Sequence, residues 1–171
     1  MQGYVQVYTG DGKGKTTAAL GLALRAAGAG KKVYIAHFMK KGEYSEVTAV
    51  QRLSDLVTAE QFGTGRFVRG KPDDAERAAA QKGLQALTAA MDGGQHDVII
   101  ADEINVAAAC GALDPQDLLD LISRKPAHVE LVLTGRGALP EITTAADLVT
   151  EMRAVKHYYA QGVPARKGIE F

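Results

Sequence analysis

Tryptophan is absent from these 171 residues, cysteine occurs once, proline five times, and aromatic side chains make up only 6%. A single cysteine excludes an internal disulfide, and the setting of Cys110 among Ala107, Ala108 and Ala109 reads as a small packing residue on a helix, not a nucleophile. Net charge is lacking too, since 20 Lys plus Arg balance 20 Asp plus Glu. A chain without an overall field has no general means of gripping a polyanion, so nucleic acid is set aside as a partner. No apolar run is long enough for a bilayer, and Met1 leads within a few residues into a strand pattern without a charged leader or signal-type core. The expectation is a cytoplasmic protein with no membrane partner. Histidines at 37, 96, 128 and 157 put no two ligands on one helix face, which argues against a transition-metal site. His96 and His128 are expected to open strands, and His37 to border the ligand cleft without an assigned role.

What the chain does have is one concentrated motif. Residues 10 to 17 read Gly-Asp-Gly-Lys-Gly-Lys-Thr-Thr, after an alternating apolar run and before an alanine- and leucine-rich helical stretch. Glycine's backbone freedom lets consecutive N–H groups turn inward on one anion, and the following helix adds its positive N-terminal end. Lys15 supplies a mobile charge, and the Thr16 hydroxyl is suited to magnesium. The usual spacing puts a glycine where this chain has Thr9, so the loop is short, and it carries an additional cation, Lys13. A nucleoside triphosphate is the default ligand.

The length fits one domain, residues 1–171. Strand-like runs at 3–9, 32–38, 57–62, 96–101 and 128–134 alternate with helical patterns at 15–28, 45–55, 73–92 and 115–124. Gly28 and Gly30 are expected to end the first helix, and Asp114 and Pro115 to start the fourth. This alternation predicts an α/β fold: a P-loop NTPase-like (RecA-like) domain with a mostly parallel sheet and helices on both faces. Ligands of such sheets gather at the carboxyl ends of the strands, where the glycine- and cation-rich segment 63–72 reads as a loop.

Two further motifs belong to that edge. The apolar run Val98 to Ala101 ends in Asp102 and Glu103, and either acid could hold magnesium beside the phosphate loop. The alternative for Asp102 is an N-cap for a helix over 104–110. Thr134-Gly135-Arg136-Gly137 closes another strand with a turn around one guanidinium, which would reach phosphate or ribose; a plain surface turn is the alternative.

Taken together, TGDGKGKTTAALGLALRAAG, FMKKGEYSE, IIADE, TGRG and the terminal ADLVTEMRAVKHYYAQGVPARKGIEF resemble the ATP:corrinoid adenosyltransferases of the CobA, CobO and BtuR type, from the first strand to Phe171. The resemblance implies transfer of the 5′-deoxyadenosyl group of ATP to the cobalt of a reduced corrinoid such as cobalamin, with release of triphosphate. It implies that Thr9, Gly10, Asp11, Gly12, Lys13, Gly14, Lys15, Thr16 and Thr17 hold the nucleotide. Arg25 and Arg136 would contact it, and Thr16, Glu103 and Asp102 would hold Mg2+ or Mn2+. Lys13, Lys15 and Arg136 are the expected catalytic cations, stabilising the departing triphosphate. Because the attacking cobalt carries no proton, no general base is required. Members of this family are usually homodimers, and a flavoprotein reductase is the expected electron source. Enteric members carry an aromatic pair in the middle loop where this chain has Arg66, Phe67 and Val68, and Phe67 is expected to substitute in part at the corrinoid; the family's longer forms have an N-terminal helix over the corrinoid, whereas this chain is expected to begin at its first strand. The rival readings are a small P-loop phosphotransferase or ATPase, and an ATP-binding module without turnover.

Overall fold

The computed structural model describes residues 1–66 and 70–171. Six strands form one sheet among them: β1 (Val5–Thr9), β2 (Val33–Phe38), β3 (Val57–Phe62), β4 (Val98–Asp102), β5 (Glu130–Thr134) and β6 (Leu148–Glu151). They lie in the order β3-β2-β4-β5-β1-β6, and every pairing is parallel, where a mostly parallel sheet was expected. All six carboxyl ends therefore share one edge. The helices are α1 (Lys15–Gly28), α2 (Ser45–Val50), α3 (Asp74–Asp92), α4 (Ile104–Ala109), α5 (Pro115–Arg124) and α6 (Pro140–Ala145). The architecture is the expected α/β, P-loop NTPase-like fold.

Alternation along the strands divides the core into two layers. Ile35, Ile100 and Val132 face one side, where Ala19, Ala23, Ala26 and Ala27 of α1 pack on them. Small side chains let that helix approach the sheet closely. Phe38, Ile99, Leu131 and Leu133 face the other side, against Leu87 and Met91 of α3 and Leu118 and Leu121 of α5. Continuous apolar strands of this kind need both faces covered, and both are.

Helix ends follow local chemistry. Asp73 and Glu76 form a reciprocal capping box at the start of α3, and Asp114 accepts from Gln116 N at 2.9 Å ahead of Pro115 in α5. Helix α1 runs through Gly28 and stops at Gly30, whose N–H donates to Ala27 O while Lys31 N donates to Ala26 O, with φ +74° at Gly30. The second predicted helix is shorter than the reading of 45–55, because α2 tightens into a 3-10 turn at Gln51–Leu53. His96 and His128 precede their strands, which begin at Val98 and Glu130. His96 packs against the Tyr34 ring at 5.5 Å, and Cys110 is half-buried just after α4. Among the described residues no helix is long and apolar enough to cross a membrane.

Candidate active site

Between Thr9 and Lys15 the chain makes its turn through Gly10, at φ +93°, and Gly14, at φ +121°, both in the region that favours glycine. Contact imposes a second constraint. A Cβ on Gly10 would come within 2.4 Å of Met152 O, and one on Gly12 within 2.6 Å of the same atom. Gly12 N donates to that oxygen at 2.7 Å, so the loop lies against the end of β6. Lys15 is buried and folds back into the loop, its Nζ donating to Gly10 O at 2.6 Å and Gly12 O at 2.7 Å. Burial lowers its pKa against the opposing pull of Glu103. Lys13 has quite different partners: it donates to Ile169 O at 2.8 Å, Glu170 Oε1 at 3.0 Å and Tyr158 Oη at 3.3 Å, all in the C-terminal segment.

Asp102 is the centre of the site. It ends β4, and β5 intervenes between β4 and β1, so Thr134 at the end of β5 bridges the gap. Thr134 Oγ1 donates to Asp102 Oδ1 at 2.7 Å, and Thr16 Oγ1, in the first turn of α1, donates to the same oxygen at 2.8 Å. On the other oxygen, His37 Nδ1 lies 2.9 Å from Oδ2 and Lys40 Nζ donates to Oδ2 at 2.9 Å. Burial acts to raise the Asp102 pKa, but the hydrogen bond from His37 and the charge of Lys40 reverse this and hold the carboxyl well below the usual carboxylate range. Burial likewise acts against the Lys40 ammonium, yet Asp102 holds its pKa above the ordinary value.

Glu103 leaves the strand with φ +62°, a left-handed conformation for a non-glycine residue, and its N–H donates to Thr134 Oγ1 at 3.0 Å. It stands at the N-cap position of α4, which corrects the alternative reading of Asp102 as that cap. Its carboxyl is pushed up by burial and by the charge of Asp102, against the pull of Lys40, Lys15 and Arg136. Those three cations thus lie within electrostatic reach of one acid.

The remaining predicted residues divide. Arg136 is exposed in the turn after β5, where Gly135, at φ +133°, passes so close to α4 that a Cβ would sit 2.9 Å from Val106 N. Thr9 Oγ1 accepts from Ala138 N at 3.2 Å, tying that turn to the loop. Asp11 and Thr17 are exposed, and Asp11 borders an open cleft with Glu151 and Arg153. Arg25 is not brought to this edge: it lies in the last turn of α1, ten residues past Lys15, about 15 Å along the axis. Phe67 lies outside the described residues. Two residues without a predicted role, His37 and Lys40, complete the shell of Asp102. His37 is the direct cross-strand partner of Asp102 in the β2–β4 ladder, a signal readable only once the strand order is known.

The model of the ATP:corrinoid adenosyltransferase family BtuR/CobO/CobP matches residues 1–171. The chain belongs to this family. Three similar proteins carry the name corrinoid adenosyltransferase. One, from Pseudomonas aeruginosa, is 37% identical over 99% of this chain and 84% of its own length. Those from Salmonella typhimurium and Escherichia coli K12 are each 32% identical over 99% of this chain and 86% of theirs. This adenosyltransferase is thus an enzyme with hard oxygens of Thr16 and Asp102 paired at the carboxyl edge of the sheet beside the glycine loop, and with the Glu103 carboxyl within electrostatic reach of Asp102 and Lys15. Such donors suit magnesium or manganese. Among the described residues no three His, Cys, Asp or Glu side chains make a closed cage.

Proposed function

We propose that this enzyme transfers the 5′-deoxyadenosyl group of ATP to the cobalt of a reduced corrinoid and releases triphosphate. What carries the reading is the joining of the Gly10–Thr17 loop to the Thr16–Asp102 pair at one sheet edge, in a chain of this family. In this reading the loop amides and Lys15 receive the triphosphate. Lys15 gives up the carbonyls of Gly10 and Gly12 for phosphate oxygens, a better match for an ammonium. Lys13 and Arg136 add charge from the rim. A magnesium or manganese ion held by Thr16, Asp102 and Glu103 would supply further positive charge to the phosphates.

The reduced cobalt is the nucleophile and attacks C5′ of ATP in line. The C5′–O bond breaks, and its electron pair leaves with triphosphate. The protein's task is orientation and stabilisation of the leaving charge. No proton is moved, so Asp102, held ionised by His37 and Lys40, is used as a charged anchor and not as a base. Phe67 serves the corrinoid side. A cytoplasmic homodimer supplied with electrons by a flavoprotein reductase belongs to the same proposal.

The test is an anaerobic incubation with ATP, Mg2+ and chemically reduced cobalamin, followed by the light-sensitive spectrum of adenosylcobalamin and identification of the phosphate product. Adenosylcobalamin with triphosphate is expected. ADP with orthophosphate and an unchanged cobalt spectrum would replace the proposal with a phosphotransferase or ATPase.

A further inference from the structure

The four partners of Asp102 leave its carboxylate saturated. A carboxylate offers about four lone-pair sites, and Thr16, Thr134, His37 and Lys40 take two on each oxygen. Three of these partners are fixed by the fold. Thr16 is in the first turn of α1, Thr134 is fully buried at the end of β5, and His37 is buried within β2. Lys40 differs, because it sits beyond β2 on a flexible stem and its side chain is 18% exposed. Of the four, it has the longest and most flexible stem, and its ammonium can swing away toward solvent.

The backbone that carries it is set with care. Met39 adopts φ +58°, an uncommon conformation for a non-glycine residue, and its N–H donates to Phe62 O at 3.0 Å. Gly63 packs so tightly on the next residue that a Cβ there would lie 2.6 Å from Lys40 N. The main chain at Lys40 is therefore pinned between β2 and the end of β3, and only the side chain is free to change partners. Its ammonium lies between Asp102 Oδ2, at 2.9 Å, and Thr16 Oγ1, at 3.4 Å. Those are two of the oxygen donors assigned above to the divalent ion.

We propose that Lys40 is a tethered counter-ion that occupies the divalent-cation seat between Thr16 and Asp102, so that a metal ion can bind there only by displacing it. This rests on the assignment of Thr16 and Asp102 to the metal. Two cations at bonding distance of Asp102 Oδ2 repel each other, and with all four lone-pair positions of the carboxylate already taken, the ion gains a position there as the ammonium gives one up. The protein alone then resists the free ion. The metal enters with the triphosphate, whose negative charge favours both the ion and the released ammonium. Lys40 thereby selects the metal–nucleotide complex over free metal.

The experiment measures Mn2+ binding without nucleotide or corrinoid, from the electron paramagnetic resonance signal of free Mn2+. Wild type is compared with Lys40→Met, Lys40→Arg and the double variant Lys40→Met, Asp102→Asn. Lys40→Met should bind Mn2+ about tenfold or more tightly than wild type. Lys40→Arg should stay weak, and Asp102→Asn should remove the gain. Equal affinity in wild type and Lys40→Met, or a gain that survives loss of Asp102, overturns the proposal. Should a variant fail to fold, the wild type decides: saturating Mn2+ alone should speed acylation of the Lys40 amine relative to exposed Lys82, and an unchanged rate overturns it. Neither readout depends on adenosyl transfer, so failure of that activity would be seen separately.

Discussion

His37 and Asp102 face each other across the parallel ladder of β2 and β4, with Nδ1 of the imidazole 2.9 Å from Oδ2 of the carboxylate. An ionised carboxylate only accepts, so Nδ1 is the donor, and the buried Nε2 has no hydrogen-bond partner among the described residues. The strand register thus aims one imidazole nitrogen at the carboxylate.

Asp102→Asn should therefore be costly. It leaves Lys40 and the strand ends without their shared anion, and loss of one partner of a buried charge pair costs about 3 kcal/mol or more. The sign with pH follows from the depressed pKa of Asp102. Its contribution is fully present above the ordinary carboxylate value of about 4 and is lost as pH falls toward the depressed folded value. Denaturant midpoints should show a large gap between wild type and variant at pH 7, narrowing on acidification below about pH 4. A gap independent of pH would contradict the ion pairs.

Glu103→Gln should have the opposite effect on stability. Burial and the neighbouring Asp102 raise the Glu103 pKa, so the folded state prefers the protonated form. Its favourable contribution is present below the ordinary value and lost as pH rises through the raised one. At pH 7 the variant should be more stable by about 0.5–1 kcal/mol, and the gain should vanish near pH 4, while adenosyl transfer falls. Thermal melts at the two pH values together with the transfer assay check this.

Lys15→Met removes the ammonium that donates to Gly10 and Gly12. The transfer rate should drop by about 10²–10³-fold through loss of leaving-group stabilisation. The fold should survive, because a methionine fills the same volume without the cost of burying a charge. A rate within threefold of wild type would remove Lys15 from the mechanism.

Gly135→Ala introduces a Cβ 2.9 Å from Val106 N at a residue with φ +133°. Strain and overlap together should destabilise the protein by about 2 kcal/mol or more, measured by chemical denaturation. Gly21 is the control, since nothing lies within 4 Å of its added Cβ and it sits within α1. Gly21→Ala should stabilise by about 0.5–1 kcal/mol.

Glu170 gathers Lys13, Arg166 and Tyr158 around one carboxylate, which holds its pKa well below the ordinary range. Glu170→Gln should loosen the C-terminal segment without changing the global melt. Limited proteolysis is expected to cut faster between residues 153 and 171, and Lys13 should become more reactive toward acylation.

Much of this was legible in the chain because periodicity and glycine punctuation are local. Five strands and the helices α1, α3 and α5 lie within a few residues of where the sequence puts them, and Asp114 and Pro115 start α5 as their chemistry dictates. Strand β6 was missed. All four of its residues are exposed, so it carries no burial pattern and exists by pairing in register with Gln6 to Thr9. Helix α6, six residues after Leu139, is too short for a period to declare itself. At the site, contiguous motifs pointed to Thr16, Asp102 and Glu103, but the roles of His37 and Lys40 depend on β2 being the neighbour of β4. No local pattern encodes that adjacency. Arg25 shows the converse, since nearness in sequence to the loop does not survive ten residues of helix.

Met152 closes the edge of the sheet onto the glycine loop, receiving Gly12 N through its carbonyl and giving its own N–H to Thr9 O at 2.8 Å. The most weakly buried strand of the sheet is thereby wired to the most demanding turn of the chain. Fraying of β6 and loosening of the loop become one event. The amides of Gly12 and Met152 should exchange with solvent at a common rate, set by how often the outermost strand lifts away.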